Sequence, residues 1–237
     1  MVGYFFGQVI AVLPAVLLWV YILRKDAKPE PTGQIVKAIL LGVATVPPII
    51  LVEMGISSVL FGGGEPTSII GNAADAFLVA AIPEECFKLL ALWLVLRKNP
   101  HFDEHYDGIV YSVCVGLAFA TVENLGYVLG DGDWFSVGIM RAIFSVPGHY
   151  AFAVLMGYYY AQYHFVKRSF FNLASILVVP VLAHGLYDAI VMNIGMSEWL
   201  VLPLMALLIF FCVKLHQVCK KKIVAQLALD NSGNFVA

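Results

Sequence analysis

The stretch AAIPEECFKLLALWLVLR, residues 80–97, decides how this chain folds. Its apolar ends mark it as a membrane span, yet Glu84, Glu85 and Lys88 lie in its middle, and each of them is expensive in hydrocarbon. The rest of the chain favours the span. Of 237 residues 61% are hydrophobic and 13% charged, with a mean hydropathy of +0.86, where a soluble domain carries roughly a quarter charged residues. About 20 apolar residues cross the hydrocarbon core. Spans of that length are predicted near 3–23, 38–60, 75–96, 108–129, 135–159, 173–195 and 199–219, with Pro47 and Pro48 weakening the second.

The basic residues test that count, because Lys and Arg gather in cytoplasmic loops. With the N-terminus outside and seven spans, Arg24, Lys25, Lys28, Lys37, Arg97, Lys98, Lys167, Arg168, Lys214 and Lys220 to Lys222 all fall on one side. Glu65, Asp131, Asp133 and Glu198 fall on the other. An even number of spans, or one span missed in the middle, would scatter this pattern. The expected architecture is therefore an all-α, polytopic bundle with a cytoplasmic C-terminus. It is one transmembrane domain over 1–219 followed by a short tail, 220–237, whose three lysines meet anionic headgroups.

The first apolar run has no basic residue before it and reads as a retained span rather than a cleaved leader. Cys86, Cys114, Cys212 and Cys219 lie in or beside spans without paired metal spacing and read as packing residues. The net charge of −2 says little about partners. No nucleic-acid partner is expected, and the lipid bilayer itself is the surrounding medium.

Depth and spacing then sort the ionisable groups within spans. Glu84 and Glu85 lie at the centre of the third span, His149 and His184 near the centres of the fifth and sixth, and Glu123 about one turn outward of the midpoint of the fourth. Lys88 is three residues from Glu85 and four from Glu84, so it can neutralise either. The two glutamates diverge by about 100° around the helix axis. One is expected to face a reaction centre while the other holds Lys88. His184 and Asp188 share a face, as do Phe119, Glu123 and Tyr127, with Asn124 beside them. Arg141 reads as a residue at the outer interface, or paired with an acid there, and is given no catalytic role.

Carboxylates and histidines at one depth point to activation of water. A divalent metal on His nitrogens and Glu oxygens would lower the pKa of water from 15.7 to about 7, with a remaining Glu as base. A glutamate alone can do the same with a histidine polarising the carbonyl. Both routes are hydrolytic, and the fitting substrate at that depth is a peptide bond in or near another membrane segment. The competing class is a proton- or cation-coupled transporter or channel. Against it stands the absence of internal repeats and paired broken helices.

The ordered set PEECFK (83–88), DGIVYSVCVGLAFATVENLGY (107–127), SVPGHYAFAVLMGYY (145–159) and HGLYDA (184–189) resembles the PrsW family of bacterial membrane proteases. That family is related to the CAAX prenyl proteases and bacteriocin-processing enzymes. The resemblance covers roughly 83–188. It implies a first motif of Glu84, Glu85 and Lys88, a second of Phe119 and Glu123, and a third of His184 and Asp188, with His149 as the additional histidine of this branch. It further implies an integral protein of a bacterial or archaeal plasma membrane that cuts a membrane-anchored protein such as an anti-sigma factor. Two positions depart from the wider superfamily: Glu123 stands where others carry His, and Asp188 where some carry Asn. An ionised Asp188 suits the orientation of a metal-bound or basic His184.

Residues and resemblance together give the following expected site. Glu84, Glu85 and His184 are catalytic, with one of the two glutamates as general base. Glu85, Glu123, His149 and His184 hold a divalent metal, zinc by its oxygen and nitrogen donors, and Lys88, Asn124 and Asp188 orient them.

Overall fold

The computed structural model describes residues 2–130 and 132–232, with side chains from residue 6 onward. Asp131, expected in an outward loop, and residues 233–237 of the expected tail lie outside the described residues. Seven long helices run through the rest: α1 (Val2–Leu23), α2 (Thr32–Phe61), α3 (69–96), α4 (Asp107–Gly130), α5 (Trp134–Val166), α6 (Phe170–Met196) and α7 (Glu198–Asn231). Six are long and apolar enough to cross a membrane. The one left out of that set is α3, which carries Asp75, Glu84, Glu85 and Lys88 and is still about 42 Å long at 1.5 Å per residue.

The helices form because a chain in hydrocarbon must satisfy its backbone within each segment. Side chains close several ends: Ser68 Oγ accepts from the Gly71 amide at 3.0 Å and Ser169 Oγ from the Asn172 amide at 3.2 Å. Pro47 and Pro48 do not end α2. The irregularity they cause is confined to Thr45, whose hydroxyl donates to the Gly42 carbonyl at 2.7 Å. The first part of the expected tail, to Asn231, is helical. α7 continues to Asn231 because its last turns still have a buried face: Ile223 and Gln226 are buried, and Asp230 accepts from the His105 and Tyr106 amides at 2.8 and 2.9 Å.

At the centre stands α4, packed against α1, α2 and α5 and buried along most of its length. Small residues let it approach α5. A Cβ on Gly157 would lie 2.2 Å from the Gly108 carbonyl oxygen, so the two backbones touch where no other residue fits. Gly157→Val is expected to force α4 and α5 apart and lower stability by about 1–3 kcal/mol or more. Thermal unfolding in detergent checks this, with Gly126→Ala as control, since a Cβ there meets nothing within 4 Å.

The remaining helices bring the polar groups inward. α6 packs on α3 and α5, and α7 closes the outside against α5 and α6 while leaving most of its own surface exposed. At one end α3 and α6 are tied by Asn72 Nδ2, which donates to the Met192 carbonyl at 3.0 Å and to Asn193 Oδ1 at 3.2 Å.

Candidate active site

Two prolines set the phase of the helices that carry the site. In α3, the segment Asp75–Ala81 winds with wide turns, closing on a bond from the Ile82 amide to the Phe77 carbonyl five residues back, and Pro83 follows. In α5, Arg141–Ser145 winds the same way, with the Val146 amide bonded to the Arg141 carbonyl, and Pro147 follows. Proline lacks the N–H for the ordinary turn and its ring crowds the carbonyl four residues back, so a wider turn ahead of it relieves the conflict. Glu84 and Glu85 come directly after the first proline and His149 two residues after the second.

These side chains meet. Lys88 Nζ lies 2.8 Å from Glu84 Oε2, 2.9 Å from Glu85 Oε1 and 3.3 Å from His149 Nδ1, with the Phe119 ring 4.1 Å beneath it. His184 Nδ1 is 3.0 Å from Glu85 Oε1, and its Nε2 is 3.1 Å from Asp188 Oδ2 and 3.9 Å from Glu84 Oε2. Glu84, Glu85, Lys88, His149 and His184 are all buried. The expected split, with one glutamate on Lys88 and the other free, is not what the structure has. The long lysine stem places its ammonium between carboxylates three and four residues back, so one cation holds both.

Glu84, Glu85, His149 and His184 each offer a ligand atom within 4.8 Å of the others, a buried group able to hold a metal ion. Glu123 lies beyond them, on the far side of His149. Its Oε2 is 2.9 Å from His149 Nε2 and 2.9 Å from Arg141 Nη2. Asn124 sits in the same outer layer: its Oδ1 accepts from Arg141 Nε at 2.6 Å and its Nδ2 donates to the Ala11 carbonyl at 3.0 Å, linking α1, α4 and α5. The Tyr127 ring, one turn beyond Glu123, lies 3.9 Å from the guanidinium.

The two histidines are held alike. Each places Nε2 on a carboxylate, Glu123 for His149 and Asp188 for His184, and turns Nδ1 inward toward Lys88 and Glu85. A carboxylate accepting from one ring nitrogen fixes the tautomer that leaves the other nitrogen with a lone pair for a metal or a proton. Glu85 Oε2 is buried with no hydrogen-bond partner and remains an open acceptor. A bound ion would replace the Lys88 contact at His149 Nδ1 and the Glu85 contact at His184 Nδ1 and take up the open Glu85 Oε2, so the donor set fits a divalent ion.

Arg141, expected at the outer interface or paired with an acid there, is the counter-ion of Glu123. Two further contributors were not evident in the sequence. Phe152 stacks on His184 with ring centres 4.7 Å apart and also meets His149 edge-on, a role its i+3 spacing from His149 could have signalled. Glu53, on α2, is close enough to interact electrostatically with Glu84, Glu123, Lys88 and His184.

A seven-helix membrane bundle with a buried glutamate and histidine centre is what the hydrolytic reading of the sequence expects. The family described as PrsW family intramembrane metalloprotease matches residues 30–215. The chain is 38% identical over 180 residues to Protease PrsW of Geobacillus kaustophilus, covering 75% of this chain and 76% of that one. It is 35% identical over 205 residues to Protease PrsW of Bacillus subtilis, covering 84% and 89%, and 36% identical over 191 residues to that of Clostridioides difficile, covering 77% and 78%. The chain belongs to the PrsW family of membrane proteases and is an integral plasma-membrane protein. No solved structure matches it.

Proposed function

We propose that this chain is a metal-assisted protease that cuts a membrane-anchored protein, of the anti-sigma-factor class, with water activated at the Glu84, Glu85, His149 and His184 centre. The observation that carries the metal reading is the pair of inward Nδ1 atoms, each backed by a carboxylate on Nε2, beside the open Glu85 Oε2. Charge supports it. Glu84, Glu85, Glu123 and Asp188 are four carboxylates against two cations, Lys88 and Arg141, and a divalent ion would balance the remainder with both histidines neutral.

Glu84, Glu85, His149 and His184 would hold the ion, zinc being favoured by mixed oxygen and nitrogen donors. Once bound, it would lower the pKa of water to about 7. The chain's own groups do the rest. Glu85 takes the proton from water on Oε2, and Lys88 holds both glutamates in place and in their charged form. Asp188 and Glu123 fix the ring orientations of His184 and His149, and Arg141 with Asn124 anchors Glu123 to α1 and α5. Phe119 and Phe152 cover the centre with aromatic faces and exclude bulk water.

Elemental analysis of purified protein tests the metal assignment. Zinc near one ion per chain is expected, with metal and activity lost together to chelator and restored together on adding the ion back. Full activity in metal-free protein would overturn the metal and leave glutamate-only chemistry.

A further inference from the structure

A second group of acids lies away from the membrane-depth centre, where the α1–α2 connection meets the start of α4. Asp26, Glu104 and Asp107 each offer a carboxylate oxygen within 4.8 Å of the others. Asp107 is 0% exposed and Asp26 8%. Each has one oxygen satisfied by backbone: Asp107 Oδ2 accepts from the Asp103 and Glu104 amides at 3.0 and 2.7 Å, and Asp26 Oδ1 from the Lys28 amide at 3.0 Å. The other oxygen of each, Asp107 Oδ1 and Asp26 Oδ2, is buried with no amide, hydroxyl or cation on it, and Asp107 has only the Glu30 carboxyl beside it to share a proton with. Buried polar atoms are almost always partnered, so the unpartnered Asp26 Oδ2, next to a carboxyl that can be satisfied only by sharing a proton with another acid, points to something that binds there.

The surrounding cations are engaged elsewhere. Lys28 Nζ sits on Asp103 at 2.6 Å, at the surface, and His105 Nδ1 on Asp230 Oδ1 at 2.7 Å. Glu30, whose carboxyl adjoins Asp107 and accepts from the Tyr111 hydroxyl, adds a further acid. Lys28 is the cation whose charge reaches Asp26, Glu104 and Asp107, and it is shared with Asp103, so the carboxylates outnumber it.

We propose that Asp26, Glu104 and Asp107 form a second metal site, separate from the proteolytic centre, that takes a hard divalent cation, Ca2+ or Mg2+. All-oxygen ligation selects hard ions, in contrast with the mixed donors of the membrane-depth group. The bound ion ties the α1–α2 connection to the head of α4. Asp230, which holds the last turn of α7 to the His105 and Tyr106 amides, lies against the same segment. It is thus a brace for one end of the bundle, and its existence does not depend on the proteolytic reading.

The whole chain, stripped with chelator in detergent, is titrated with Tb3+, a stand-in for Ca2+ whose emission can be sensitised by Tyr111. One Tb3+ per chain is expected, displaced by Ca2+ or by Mg2+ below about 10 mM; the more effective competitor identifies the ion. Asp107→Asn and Asp26→Asn should each weaken binding by about 10–100-fold or more, and the ion that displaces Tb3+ should raise the unfolding temperature of the parent but not of either variant. Should Asp107→Asn fail to fold, Asp26→Asn, in the connection, decides alone. Equal binding by parent and Asp26→Asn would overturn the site. So would an absence of binding together with higher stability of the Asn variants, which would mean that the acids are held by shared protons only.

Discussion

Glu85→Gln is expected to lower cleavage of a co-expressed single-span substrate by about 10²–10⁴-fold, the contribution of a positioned general base, and by more if the carboxylate also holds a metal. The substitution keeps the size and one hydrogen-bonding oxygen of the side chain. Contacts to Lys88 Nζ and His184 Nδ1 therefore have a neutral replacement, and the protein should still be extracted folded. What it removes is the open, charged Oε2. Glu84→Gln and His184→Ala should fail in the same assay. Loss of activity accompanied by unfolding would place Glu85 among the structural residues, and unimpaired cleavage would remove it from the site.

The second large effect is at Lys88. Its ammonium is bonded to both Glu84 and Glu85 within 2.9 Å, and all three side chains are buried. Removing one member of a buried ion pair leaves uncompensated charge and costs about 3–5 kcal/mol. Lys88→Met should lower the unfolding temperature in detergent sharply and abolish activity. Adding Glu84→Gln removes one stranded charge and should recover part of the stability without the activity, a coupling that a double-mutant cycle measures directly. An unchanged unfolding temperature for Lys88→Met would show that the carboxylates do not depend on the ammonium.

Much of this arrangement can be read from the sequence. The seven helices follow from apolar runs, and the sequence argues for α3 despite its charges from the placement of Lys and Arg. Glu84, Glu85, His149 and His184 come together as their common depth suggests. The PrsW resemblance, carried by four ordered motifs, is matched by a family assignment over 30–215.

The rest was hidden for identifiable reasons. Ideal helical phase predicts divergent glutamates. It cannot anticipate a flexible lysine stem seated between them, nor the wide turns at Asp75–Ala81 and Arg141–Ser145 that alter the phase of everything before Pro83 and Pro147. Arg141 joins His149 at Glu123 across one of those turns, so a regular helical wheel does not pair them. Glu123 reads as a ligand from its depth; its position behind His149 depends on the crossing of α4 and α5, which close glycine contacts set. The length of α7 depends on tertiary contact, since the turns past residue 219 are held by Ile223, Gln226 and Asp230 against distant segments.

The central claim is that the buried glutamates and histidines hydrolyse a membrane-anchored protein. It is tested most directly by reconstituting purified protein with a single-span substrate in proteoliposomes and following cleavage by mass. The account predicts one cut in or near the membrane segment with the unaltered chain and none with Glu85→Gln. Intact substrate with the unaltered, folded chain at every metal condition, or equal cleavage by Glu85→Gln, would contradict it.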